Sequence, residues 1–333
     1  MTRSTSPVPV TILTGFLGAG KTTLLKRILD DPQGVRYGVL VNDFGAINID
    51  ADLVVESAAD QVSLSNGCVC CSIQSDLVEA IDGLLARDPA PERILIEASG
   101  VSRPLPIADT LEAPELKGRA VLDGIFCLVD GEGFADLDFA ATELAIEQVT
   151  GSDVVLLNKV DAASETQLAA VEQTLKGPLP ALRLIRTRFA EIPREVLFGA
   201  HMGARTEPHH GHEHHHDHDH CTDLHCTHEH HHHDHADEFE AWSWQSAQPV
   251  DADRLRASLR ALPASLMRAK GIFRAESAGE RLVFHLVGKR ARTTREKETP
   301  PAVSSLVAIG RRGSFDGAEL TRLMDACVAA PRP

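Results

Sequence analysis

Gly15-Phe16-Leu17-Gly18-Ala19-Gly20-Lys21-Thr22 follows the pattern of Gly, four residues, then Gly-Lys-Thr, and its flanks decide the fold. The apolar run Val8 to Leu13 precedes it, and Leu24, Leu25, Ile28 and Leu29 share one helical face after it. A buried strand, a glycine-rich loop and a helix start in that order form a phosphate-binding loop. The glycines let backbone N–H groups close around phosphate oxygens, and the helix N-terminus adds positive potential. Gly15, Gly18, Ala19, Gly20 and Thr23 are therefore expected to line a nucleotide site. Lys21 is expected to reach the terminal phosphates, and the Thr22 hydroxyl to bind Mg²⁺.

Outward from the loop, short apolar runs alternate with amphipathic segments. Tyr37 to Val41, Ile94 to Ile96, Ile125 to Val129, Val154 to Leu157 and Leu182 to Ile185 read as buried strands. Leu77, Ile81, Leu84 and Leu85 share a helical face, and Ser164 with Gln167 forms a capping box ahead of Leu168, Val171 and Leu175. Near-continuous apolar strands between helices predict an α/β fold of the P-loop NTPase type over residues 1–200: a mainly parallel sheet with helices on both faces. Residues 201–238 then hold all but one of the 17 histidines, interleaved with Asp, Glu, Cys221 and Cys226. No apolar periodicity survives there, so a disordered His-rich linker is expected. Patterning resumes in residues 239–330. Phe239 to Gln245 and Arg281 to Val287 alternate like strands, Ala252 to Leu262 and Gly317 to Val328 look helical, and Leu306 to Ile309 is a short apolar run. A smaller α+β domain fits.

The base is expected to be read by Asn158-Lys159-Val160-Asp161, which follows a strand. The Asp161 carboxylate accepts from the guanine ring N–H and exocyclic amine. Adenine lacks that edge and would leave a buried Asp161 unsatisfied. Lys159 would lie against the base, and Asn158 would tie its loop to the phosphate loop. Ile94-Leu95-Ile96-Glu97-Ala98-Ser99-Gly100 ends a strand in a carboxylate. Glu97 is placed to act on Mg²⁺ through water or to orient the attacking water, and the Gly100 N–H to sense the terminal phosphate. Asn42-Asp43-Phe44-Gly45 follows another strand as a first switch, with Asp43 its polar participant.

Between the two switches lies Cys68-Val69-Cys70-Cys71. Zinc favours thiolates in tetrahedral geometry, and three close sulfurs supply most of a shell while leaving one position open for transfer. A redox pair and a buried structural cluster are the competing readings. The His-rich segment reads as a low-specificity reservoir for divalent metals, or as a solvated linker. Cys127 and Cys327 read as core residues, and His285 as a satisfied strand histidine.

The bulk numbers narrow the classes. Lys and Arg total 33 against 48 Asp and Glu, a net charge of −15 with only short basic runs, which argues against nucleic-acid binding. No apolar run reaches about 18 residues, so no membrane span is expected. Residues 1–9 carry no apolar stretch of signal-peptide length. The seven cysteines do not form a disulfide framework, and a cytoplasmic protein is expected.

Thr14 to Thr23, the Cys68-Val69-Cys70-Cys71 motif, Glu97-Ala98-Ser99-Gly100 and Asn158-Lys159-Val160-Asp161 together resemble the CobW-like metallochaperone GTPases. The His-rich linker and the later Arg268-Ala269-Lys270-Gly271 fit the same family. The resemblance implies a GTPase that holds Zn²⁺ at Cys68, Cys70 and Cys71 and delivers it to a client metalloprotein. Cobalt delivery for cobalamin synthesis is the alternative the family offers. Many members have Glu after Asn in the first switch and an acidic residue beyond its Gly, where this chain has Asp43 and Ala46. Two readings from other classes compete: a His-rich metal buffer, and a small-molecule kinase built on the same phosphate loop.

Overall fold

A computed structural model describes residues 6–41, 60–63, 72–199, 238–276, 280–296 and 298–329. Asp43, Cys68, Cys70, Cys71 and the His-rich tract lie outside the described residues. In the first half, β1 (Val8–Gly15) enters the phosphate loop and α1 (Lys21–Asp30) leaves it. Then come β2 (Tyr37–Val41), β3 (Asp60–Ser63), α2 (Ser72–Leu85), β4 (Arg93–Glu97), α3 (Pro104–Asp109) and β5 (Ala120–Asp130). The half closes with α4 (Phe139–Thr150), β6 (Val154–Asn158), α5 (Glu165–Lys176), β7 (Leu184–Arg186) and α6 (Arg194–Phe198). The strands form one parallel sheet in the order β3-β2-β4-β1-β5-β6-β7.

The expected α/β architecture is what the backbone adopts. β2 and β6 are buried along their whole length, as a sheet covered on both faces requires. Leu24, Leu25, Ile28 and Leu29 of α1 cover one face, and Leu77, Ile81 and Leu84 of α2 cover the other. Ser164 and Gln167 form the capping box of α5. Four elements of this half were not read from the sequence: β3, α3, α4 and α6. The inner face of α4 is Ala145, Gln148 and Val149, too weakly apolar to stand out as a helical stripe.

Parallel register fixes where the loops emerge. Glu97 of β4 pairs with Val41 of β2 on one side and Leu13 of β1 on the other, Ser63 pairs with Val41, and Asp130 pairs with Asn158. The carboxyl ends of six strands therefore share one sheet edge, where open α/β sheets bind ligands. The chain leaves Val41 and Ser63 from that same edge.

The second half is a five-stranded antiparallel sheet in the order β11-β10-β9-β12-β8. Its strands are β8 (Phe239–Ser246), β9 (Leu266–Arg274), β10 (Arg281–Val287), β11 (Arg290–Glu296) and β12 (Ser304–Arg311). The helices α7 (Ala252–Arg260) and α8 (Gly317–Asp325) pack on one face, where Leu255 and Leu320 join Phe273, Phe284 and Leu306 of the sheet. β9 and β11 escaped the sequence reading, because one carries Arg268 and Lys270 and the other is polar but for Ala291.

The two halves are joined by a continuous core. Phe239, Met267, Val287 and Ile309 belong to the same apolar cluster as Leu13, Phe126 and Leu156. At its margin the Asp123 carboxylate accepts from Arg93 and from Arg268, both at 2.5 Å. Arg268 also donates to the Leu197 carbonyl at 2.7 Å. Burial would raise the Asp123 carboxyl, but Arg268 and then Arg93 outweigh it and hold it down at about 2. A second pair, Arg290 with Asp153 at 3.2 Å, closes the other side. No helix among the described residues is long and apolar enough to cross a membrane.

Candidate nucleotide and metal site

The phosphate loop is held from below by β5 and β6. Gly15 takes φ +133°, and a Cβ there would lie 2.1 Å from the Leu128 carbonyl oxygen. Gly20, the N-cap of α1 at φ +105°, leaves no room for a Cβ beside the Asn158 amide, 2.5 Å away. Only glycine combines these backbone angles with such close approach. Gly18 sits open at φ +75°, Ala19 is buried, and Thr23 is exposed. The buried Lys21 ammonium donates to the carbonyls of Gly15 at 2.9 Å and Phe16 at 3.1 Å, so the charge is poised within the loop's curve.

Thr22 and Glu97 meet from different elements. The Thr22 hydroxyl at the start of α1 donates to Glu97 Oε1 at the end of β4, at 2.7 Å. Glu97 is only 4% exposed, so this pair of hard oxygens sits in a low-dielectric corner beside the phosphate loop. Three residues on, Gly100 packs against Leu17 of the loop too closely to admit a Cβ. Gln148 of α4 donates to the carbonyls of Gly100 and Ser102, both at 3.0 Å. It thereby fixes the segment that follows Glu97.

Asn158, also nearly sealed from solvent, spends both ends of its amide. Nδ2 donates to the Ala19 carbonyl at 3.0 Å. Oδ1 accepts from the Ala190 N–H at 2.8 Å and the Thr187 hydroxyl at 3.2 Å. One side chain thus couples the phosphate loop to the loop after β7. Lys159 stands at φ +59° and donates to Asp130 Oδ2 at 2.7 Å. The other Asp130 oxygen accepts from the N–H groups of Glu132 and Gly133. Asp161 is exposed, so the penalty for an unsatisfied carboxylate arises only once a base covers it.

The structure thus gathers Gly15, Gly18, Ala19, Gly20, Lys21, Thr22, Glu97, Gly100, Asn158 and Lys159 at one sheet edge. Sequence reasoning missed Asp130, which orients Lys159, and Gln148. Asp130 had a readable signal, a carboxylate closing a buried strand, whereas Gln148 had none. A cavity of about 100 Å³ lies behind the loop between Phe16, Cys127 and Gln148. Cys127 is buried there with its thiol pushed up to about 12 by desolvation, an inert sulfur. Cys327 is likewise buried and pushed up to about 12 by desolvation. A larger cleft of about 550 Å³ beside Arg36, Leu84 and Pro89 opens at the opposite, amino-terminal edge of the sheet. Among the described residues no group of three or more His, Cys, Asp or Glu side chains is arranged to hold a metal. Cys68, Cys70, Cys71 and Asp43 are not among them.

Known proteins give the same grouping. Residues 9–185 match the family model for the CobW/HypB/UreG nucleotide-binding domain, and residues 239–328 match the cobalamin synthesis protein cobW C-terminal domain. A protein of Pseudomonas aeruginosa named zinc chaperone CobW is 33% identical over 246 residues, 63% of this chain and 66% of that protein. Zinc chaperone YjiA of Escherichia coli is 40% identical over 167 residues, 49% of this chain and 52% of that protein. The chain therefore spans about half to two thirds of the length of these curated relatives. The crystal structure of Zn(II)-bound YjiA GTPase from Escherichia coli aligns over 97% of this chain and 99% of that one, at 24% identity and a TM-score of 0.44.

Proposed function

The chain belongs to the CobW/HypB/UreG family, and from that premise we propose that it is a GTP-hydrolysing metallochaperone that carries zinc at Cys68, Cys70 and Cys71 and hands it to a client metalloprotein. The observation that carries the reading is the convergence at one sheet edge of Lys21, the Thr22–Glu97 pair and Asn158. The chain also departs toward Cys68 from Ser63 at that edge. Zinc is favoured over cobalt as cargo because both curated relatives are named zinc chaperones.

The chemistry follows from the side chains. Phosphoryl transfer needs positioning and charge stabilisation more than covalent help. Lys21 offers a fixed cation to the phosphate oxygens, and the loop N–H groups supply the rest of the cradle. The Thr22 hydroxyl and Glu97 carboxylate are hard oxygen donors side by side, a fit for Mg²⁺. When bound, that ion neutralises phosphate charge. Glu97 also stands where it can orient an attacking water, and the Gly100 segment, tethered by Gln148, lies where it can report the terminal phosphate. Asp161 reads guanine, while Asn158 holds the reading loop and the phosphate loop at a fixed separation. Slow intrinsic hydrolysis accelerated by client docking is expected.

The test is a competitive zinc titration of the full chain under anaerobic conditions, with a non-hydrolysable GTP analogue and then with GDP. A parallel titration of the Cys68/Cys70/Cys71→Ser variant subtracts the His-rich tract. One tight site, lost in the variant and shifted about tenfold by nucleotide, or about 1.4 kcal/mol of coupling, is the expected result. Equal affinity in both nucleotide states would remove the gating.

A further inference from the structure

The face of the C-terminal sheet turned away from α7 and α8 carries a row of basic groups that neither the nucleotide nor the metal reading uses. Strand register puts Val307, Lys270, His285 and Arg292 directly opposite one another across β12, β9, β10 and β11. The adjacent row contains Arg268 and Arg290, and these two are neutralised by Asp123 and Asp153 of the nucleotide-binding half. Asp123 is fully engaged, because Arg93 holds its other oxygen. Among the described residues, the side chains of Lys270, His285 and Arg292 have no hydrogen-bond or ion-pair partner; Arg292 is exposed, and no polar side-chain atom of Lys270 or His285 is sealed from solvent.

This arrangement is costly as it stands. Lys270 is partly desolvated, which costs free energy, and the carboxylates that favour the two cations, Asp123 foremost with Glu296 and, for Arg292, Glu112, act on them without forming an ion pair. Burial lowers Lys270 below the usual lysine range and lowers Arg292. His285 is pulled to about 4 by burial and then by Lys270, so near pH 7 it is a neutral ring between two cations. The row is rich in donors: an ammonium, the one ring N–H of a neutral imidazole and a guanidinium fork. Lys270 and Arg292 stand two strand spacings apart, roughly 10 Å between backbones. Two long side chains close that gap onto one small oxyanion.

We propose that Lys270, His285 and Arg292 form an oxyanion-binding site beside the junction of the two halves, which takes a phosphate or a carboxylate. In a chain of net charge −15, a positive cluster open to solvent is the place where an anion is attracted. A free phosphate and a carboxylate from an acidic segment of a partner protein share the chemistry, and the experiment separates them.

The full chain is titrated calorimetrically in metal-free buffer with chelator and saturating GDP, so that the phosphate loop is occupied. Inorganic phosphate is the first probe and N-acetylated triglutamate the second. The phosphate arm is repeated in Lys21→Ala, which separates this site from the nucleotide site. Saturable one-to-one binding of either probe, weakened at least tenfold by Lys270→Gln and by Arg292→Gln but not by Arg281→Gln, is expected. Phosphate binding alone identifies a phosphate ligand, and triglutamate binding identifies an acidic segment. No saturable binding of either probe overturns the proposal, as does binding untouched by Lys270→Gln and Arg292→Gln. Without anion, Lys270→Gln should melt no lower than the parent. A clear loss of stability would show that Lys270 is already satisfied within the fold, and would overturn the assignment as well.

Discussion

Replacing Asp123 by Asn tests whether the two halves are held by charge as well as by apolar contact. Asp123 is 5% exposed and lies between Arg93, 16% exposed, and Arg268, 3% exposed, with oxygen–nitrogen distances of 2.5 Å to each. Holding its carboxyl at about 2 rather than the ordinary 3.8 corresponds to roughly 2–3 kcal/mol, at about 1.4 kcal/mol per pH unit. That figure compares the charged with the neutral acid in the folded protein. Removing the charge by mutation also leaves Arg268 buried and unpaired, which costs about 3–5 kcal/mol in comparable cases. Asn keeps one acceptor oxygen, so the lower end, about 3 kcal/mol, is expected.

Urea unfolding followed by tryptophan fluorescence reads this well, because Trp242 and Trp244 both lie in the C-terminal half. The variant should show an earlier transition in that signal than in far-UV circular dichroism, as the junction opens before the nucleotide-binding half unfolds. The pH dependence has a definite sign. The folded pKa is depressed, so the stabilisation is complete above the unfolded value of about 4 and drains away as pH falls from there to about 2. The parent should lose this increment between those limits, and Asp123→Asn should not. A variant within about 0.5 kcal/mol of the parent at pH 7, with an unchanged acid limb, would refute the reasoning: it would mean that the apolar seam of Phe239, Met267, Val287 and Ile309 suffices alone.

Other perturbations follow from single geometries. Gly15→Ala places a Cβ 2.1 Å from the Leu128 carbonyl oxygen at a φ of +133°, and should cost about 3 kcal/mol of thermal stability through overpacking and strain; a melting curve like the parent's would contradict the loop geometry. Asp161→Asn should reduce GTP affinity and raise xanthosine triphosphate affinity, since the donor edge it faces changes sign; unchanged discrimination in calorimetry would place the base elsewhere. Gln148→Leu removes two hydrogen bonds, each of about 1 kcal/mol, from the carbonyls of Gly100 and Ser102. It should slow GTP turnover more than it weakens GDP affinity, and equal losses would make Gln148 a general packing residue.

What the sequence disclosed depended on how the signal was written. The phosphate loop was legible because its glycines are demanded by backbone geometry: Gly15 and Gly20 are each blocked from bearing a Cβ by named atoms of β5 and β6. The strands β2, β4, β5 and β6 were legible because burial on both faces leaves an unbroken apolar run. The helix α4 was not, since it buries Ala145 and Gln148, which carry little hydropathy. β9 and β11 were hidden for a related reason: their outward residues Arg268, Lys270, Arg290 and Arg292 serve charge at a junction, so the strands do not alternate apolar with polar. The same logic corrects His285. A strand histidine suggested a satisfied ring, yet no described residue hydrogen-bonds that ring, and its neighbours across the sheet are Lys270 and Arg292. Pairing between strands distant in sequence decides its surroundings, and no local pattern records that.

The site's arrangement also constrains how a nucleotide can act on a metal under the proposed function. A ligand shifts an equilibrium only as far as it distinguishes two states, so the phosphate must touch something that the metal segment also feels. Three connections are available at the sheet edge. Glu97 bonds Thr22 and pairs in register with Val41, where the chain departs toward Asp43. Ser63, where it departs toward the cysteines, pairs with Val41 in turn. On the far side, Cys71 directly precedes α2, whose Leu77, Ile81 and Leu84 are sealed against β2 and β4. A phosphate that draws Thr22 away from Glu97 therefore perturbs the strand against which both neighbouring departures are registered. Reciprocity then gives the proposal a second, independent reading. If a GTP analogue shifts zinc affinity tenfold, zinc must shift the affinity for that analogue by the same factor. The Cys68/Cys70/Cys71→Ser variant must abolish that shift while its GDP affinity stays at the parent value.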